Sequence, residues 1–175
     1  MSNKVVWVTR TGVLVALLVA LQTTAALLSG RNQLITGSIV NMVLIVSVVS
    51  SGLPTGLSVA ALSPIMATLL GIGPAWVLVP FIIAGNIILV LLWHFIGNTK
   101  KGNKYVVQIV ALIFASCAKF IVIYLFIIQI AIPYIPGIPM QAAVLFSYPQ
   151  LATASIGGAL AIIVLVPLKK ALANK

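Results

Sequence analysis

The chain has 175 residues, 62% of them hydrophobic and 6% charged, with ten Lys and Arg, one His and no Asp or Glu. A soluble domain carries about 25% charged residues, so this composition excludes a water-facing globular surface and requires one that faces lipid. The net charge of +10 is too sparse and too scattered to line a basic groove, which argues against nucleic acid as a partner.

A membrane helix needs roughly 20 apolar residues, so the length suits about six spans in one domain over residues 1–175. The first span is expected from Val5 to Ser29. Lys4 and Arg10 before an apolar run, with Ala25 and Ala26 after it, also fit a secretion signal. Val13 to Leu28 nevertheless continues the pattern of the other spans, so a retained helix is expected. Gly30-Arg31-Asn32-Gln33 ends this span, and the second runs from Leu34 to Val49. Ser50 to Gly56 is read as a break, because Gly and Pro punctuate helices. A short third span covers Leu57 to Leu70 and contains Pro64. Gly71-Ile72-Gly73-Pro74 separates it from a fourth span, Ala75 to Ile96. Gly97 to Lys104 is the most polar segment. The fifth span, Tyr105 to Ile132, leads into the Pro-rich loop Pro133 to Pro139. The sixth covers Phe146 to Leu168 and ends in Lys169-Lys170.

Lys and Arg flank membrane helices on the cytoplasmic side. Six spans with cytoplasmic N- and C-termini put Lys4, Arg10, Lys100, Lys101, Lys104, Lys169, Lys170 and Lys175 on that face, eight of the ten basic residues. An odd number of spans would divide the two termini between faces. Aromatic belts are expected at both interfaces: Trp7, Trp93 and Tyr105 inside, Trp76, Tyr134 and Tyr148 outside. Cys117, the one cysteine, lies in an apolar run and is read as a small packing residue.

The missing acids exclude much chemistry. A proton-coupled carrier generally places a carboxylate in the membrane, and none exists. Carboxylate acid–base catalysis and a Ser-His-Asp triad are impossible. One His and one Cys cannot form a protein-only zinc site, and no phosphate loop for ATP is present. The chain is therefore not expected to be an enzyme or to need a cofactor, and uphill movement of a solute would need energy from another subunit.

Two basic residues have no topological reason. Lys119 lies about 21 Å along span five, in the outer half of the membrane, where a lysine is costly unless it faces a polar cavity or a partner. It is read as binding an anionic or acceptor-rich ligand, with outward snorkelling or capping of helix carbonyls as the alternative. Arg31 stands alone in the first outer loop, either contacting an anionic solute or simply solvated. Asn86 and Asn41 sit within spans four and two, where Asn either binds ligand or pairs helices. Tyr148 and Gln150 open span six, whose free backbone donors suit an anion or a carbonyl. His94 is read as an interfacial histidine. Gly12, Ala16 and Ala20 repeat every four residues on one face of span one, a pattern that permits close helix approach, within the chain or to a partner. Ala154, Gly157, Gly158 and Ala161 thin one side of span six for internal packing.

These features together resemble the substrate-binding S components of energy-coupling factor (ECF) vitamin transporters. The resemblance covers the whole chain. It is carried most by Ala16-Leu17-Leu18-Val19-Ala20, similar to the Ala-x-x-x-Ala motif of span one, and by Phe146 to Leu160 at the start of span six. The family implies a vitamin or precursor bound near the outer side, a lid in the first loop, and docking of Ala16 and Ala20 on a transmembrane T component. It also implies two cytoplasmic ATPases that supply energy, and residence in a bacterial plasma membrane. Lys119, with Arg31, favours a carboxylate such as pantothenate. A neutral ring such as pyridoxine or hydroxymethylpyrimidine would instead engage Asn86 and Gln150. A cationic ligand is disfavoured because no carboxylate can neutralise it. A non-transport membrane scaffold and an autonomous channel or facilitator are the competing readings.

Overall fold

The structure, a computed structural model, describes residues 3–30, 32–99 and 102–173, with side chains described as far as Leu168. Arg31, Lys100, Lys101 and Lys175, assigned above to loops or termini, lie outside the described residues. The described chain is all-helical, as the composition requires in a medium where every backbone group must be paired internally. The main helices are α1 (Asn3–Leu28), α2 (Gln33–Ser51), α3 (Leu53–Leu69), α4 (Val79–Gly97) and α5 (Lys104–Ile123). A π-helical segment, Tyr124–Ala131, and the short α6 (Ile132–Tyr134) continue α5. The short α7 (Gln141–Leu145) then precedes α8 (Tyr148–Ala173). Five of the resulting rods are long and apolar enough to cross a membrane, and α3 is a shorter sixth.

Local chemistry sets the ends. Asn32 and Asn103 cap α2 and α5, their side chains accepting from the N–H groups of Leu34 and Tyr105 at 2.9 Å. The break expected over Ser50 to Gly56 is a single residue, Gly52. Its φ of 88° ends α2, and Pro54 already sits in the first turn of α3. A short 3₁₀ turn, Trp76–Leu78, leads into α4.

The π segment was not foreseen, and its reason lies in the spacing of the buried residues. Ala111, Ala115, Lys119, Ile123, Ile127 and Ala131 are all buried and recur every four residues. At 3.6 residues per turn, four residues overshoot one turn by roughly 40°, so a straight α-helix would swing the last of them off the buried face. Turns closed over five residues, as where the Ile132 N–H donates to the Ile127 carbonyl, restore the register.

The bundle is layered along its axis. The end near the chain termini holds the main apolar core, centred on Leu18, Leu44, Ile45, Val59, Leu89, Val90, Trp93 and Leu165. A smaller cluster of Leu78, Ile123, Ile127, Ala131, Ala142 and Phe146 lies toward the other end. Helix α2 packs chiefly along α8, and α4 along α5. Both seams depend on missing side chains. A Cβ on Gly157 would lie 2.5 Å from the Ser38 carbonyl oxygen and 2.7 Å from Asn41 Cβ, and one on Gly85 would lie 2.6 Å from Ile123.

Two expectations are corrected. Trp93 is fully buried in the core rather than in an interfacial belt; its ring reaches from α4 to Gly158 of α8. Cys117 is exposed, not packed, because the buried face of α5 runs through its neighbours Ser116 and Lys119. Trp7, Trp76, Tyr105, Tyr134 and Tyr148 are exposed.

Candidate binding site

Between the two apolar clusters lies a polar layer with Lys119 at its centre. Each of four helices brings a polar side chain to it. Asn41 follows Gly37 by one turn on α2, Asn86 follows Gly85 on α4, Lys119 follows Ala115 on α5, and Thr153 precedes Ala154 on α8. All four polar side chains are buried. Lys119 does not snorkel. Its Nζ donates to Asn41 Oδ1 at 2.6 Å and to Asn86 Oδ1 at 2.7 Å.

The amide donors are used as well. Asn86 Nδ2 donates to the Ala60 carbonyl at 3.3 Å and to Ser63 Oγ at 3.4 Å. The Ala60 carbonyl is available because residue 64, its expected helical donor, is proline and has no N–H. Pro64 thus leaves open the acceptor that orients Asn86. Asn41 Nδ2 makes a long contact to Thr153 Oγ1 at 3.5 Å, and Thr153 donates back to the Gln150 carbonyl at 3.1 Å. The network turns both amide oxygens toward Lys119.

This layer floors a cavity of about 330 Å³. Its walls come from the far end of α1, the start of α2, the end of α3, the segment 72–75 and the start of α4. Residues 139–146 and Gln150 complete them. It therefore opens at the end of the bundle opposite the N-terminus of α1. Its size is at the lower end of the range of about 300–1,000 Å³ seen for small-molecule sites. A lysine ammonium has three donors, and two are committed to Asn41 and Asn86. With no Asp or Glu anywhere in the chain, no side-chain carboxylate can meet its charge. Lys119 also lines a cavity sized for a metabolite, so the arrangement suits a small ligand with a carboxylate or another acceptor-rich group.

Of the six residues proposed from sequence as ligand contacts, Lys119, Asn86, Asn41 and Gln150 line this one cavity. Tyr148 does not. It is 78% exposed and stacks on Phe120 with ring centroids 6.1 Å apart, because the first turn of α8 turns Gln150 inward and Tyr148 outward. Arg31 lies outside the described residues. His94 is half-buried near Asn98, away from the cavity. Sequence reasoning missed Gln22, Gln33, Ser63 and Gln141, which also line it. Gln22 was the findable one, as an amide within span one.

Gly12, Ala16 and Ala20 are all exposed on the outside of α1, and among the described residues nothing outside the local helix lies within 4 Å of where a Cβ on Gly12 would stand. That stripe is not internal packing. Ala154, Gly157, Gly158 and Ala161, by contrast, are buried. No group of three or more metal-ligating side chains occurs among the described residues.

Comparison with protein-family models, with curated proteins and with solved structures finds no match to this chain.

Proposed function

We propose that the chain is the membrane-embedded substrate-binding subunit of an ECF-type importer. It takes up a water-soluble vitamin or vitamin precursor bearing a carboxylate, of which pantothenate is the type. The observation that carries this reading is Lys119, buried at the floor of the cavity with amide oxygens as partners in a chain without acids. A bound carboxylate supplies the counter-charge that the protein lacks. Lys119 is the anion contact, Asn41 and Asn86 orient it, and Gln150 contributes from the wall.

In this reading the chain spans a bacterial plasma membrane six times with both termini cytoplasmic, and the cavity opens outward. A transmembrane T component docks on Ala16 and Ala20, and two cytoplasmic ATPases supply the energy that the chain cannot. The apolar core beneath the polar layer favours a closed binding site over a continuous pore, and the cavity itself is what a plain scaffold would not need.

The test is co-purification of the tagged full chain from its own membrane. Two ATPases and one further membrane protein are expected at fixed stoichiometry with the wild type. Ala16→Trp and Ala20→Trp should release them while binding of pantothenate stays unchanged, since both positions are exposed. Retention of the partners by both variants, or solute flux in liposomes holding this chain alone, would overturn the reading.

A further inference from the structure

Four buried side-chain atoms among the described residues have no hydrogen-bond partner: Thr11 Oγ1, Gln22 Oε1, Trp93 Nε1 and Ser116 Oγ. Of these residues, Gln22 alone lines the cavity. It sits on α1, is 8% exposed, and its acceptor oxygen is withdrawn from the surface without a donor. A buried acceptor left unpaired is unfavourable, and a donor brought by a ligand relieves it. Lys119 lines the same cavity from α5, with two neutral amide oxygens as its partners. The cavity wall therefore carries an unpaired acceptor on one helix and, on another, a lysine with no counter-charge beside it.

We infer that Gln22 is a specificity-determining residue, accepting a hydrogen bond from an N–H or O–H group on a small acid whose carboxylate meets Lys119. The inference rests on the proposed binding function and narrows it: the ligand class is a hydroxy- or amido-carboxylate rather than a plain fatty acid or a donor-free ring. Such a site rejects analogues that lack the donor more strongly than its apolar walls could, because their binding would leave Oε1 unpaired. Gln33, Gln141 and Gln150 add neutral amides to the same walls, which suit hydroxyl and amide groups but carry no charge.

The experiment is titration of the purified full chain with two acids. Pantothenate has a carboxylate together with an amide N–H and hydroxyls. Hexanoate has a carboxylate and no other donor. The wild type should prefer pantothenate. Gln22→Met, similar in length but without an acceptor, should weaken pantothenate about tenfold and leave hexanoate unchanged. Its melting temperature without ligand should not fall, since no internal hydrogen bond is removed. Should Gln22→Met fail to fold, Gln22→Asn, which withdraws the oxygen by one methylene, is held to the same comparison. Lys119→Met should weaken both acids. An equal loss for both acids on changing Gln22, or no loss for either, overturns the role of Gln22 while the binding reading stands. Failure of the wild type to bind either acid, or wild-type binding by Lys119→Met, overturns the binding reading itself.

Discussion

Below the layer of Lys119, Asn41 and Asn86, the bundle is filled chiefly by Leu, Ile, Val, Ala and one buried Trp, and its glycines bring helices together. Above that layer the same helices diverge around a cavity, and the apolar residues form only a small cluster on one side of it. The lower half is close-packed and the upper half holds the cavity. In lipid no hydrophobic force drives one helix against another, so close packing must come from small residues and hydrogen bonds. The lower half relies on the first of these, and the polar layer on the second, with one unusual consequence: its central donor is satisfied only in part by the chain.

That contrast can be broken from below. Gly157→Val forces a branched side chain into the space held by the Ser38 carbonyl and Asn41 Cβ. It should cost about 3 kcal/mol of stability, read as a lower melting temperature in detergent, and should also weaken ligand binding because Asn41 is displaced. A variant as stable as the wild type would show that the seam between α2 and α8 is not close-packed. At the layer itself the effect should divide. Asn86→Leu removes an oxygen that receives Lys119 at 2.7 Å and should weaken pantothenate about tenfold, with a smaller loss of stability than Gly157→Val. Equal binding by this variant would make Asn86 a packing residue. The smallest change is expected from Pro64→Ala. Restoring an N–H at residue 64 gives the Ala60 carbonyl its own helical donor and removes one acceptor from Asn86. Binding should fall by about two- to fivefold while α3 is unchanged or slightly more stable; an unaltered isotherm would show that Asn86 is held well enough by Ser63.

The helical architecture was largely legible in the sequence, because breakers such as Gly52, Gly71 and Pro74 are local and lipid-facing composition is unmistakable. The π segment was not, because every residue from Tyr124 to Ala131 except Gln129 is apolar or aromatic and no periodicity marks the buried face. Lys119, Asn41 and Asn86 stood out as polar residues in apolar runs, yet nothing along the chain shows that they meet across 78 and 33 residues. Tyr148 and Gln150 are two apart near a helix start, and only the helix phase decides that one faces outward and the other the cavity. Gln22 was overlooked because two Thr and several Ala follow it, which makes it look like part of a weakly polar helix end. The role of Pro64 depends on a carbonyl four residues back and an amide on another helix, a relation invisible in one dimension.

The most direct test of the account is native mass spectrometry of the full chain purified from its own membrane, wild type beside Lys119→Met. The wild type is expected to retain one small acid bearing a hydroxyl or amide, and Lys119→Met to emerge folded and empty. The same retained molecule on both proteins, or a bare wild-type chain that also fails to take up added pantothenate, would contradict it.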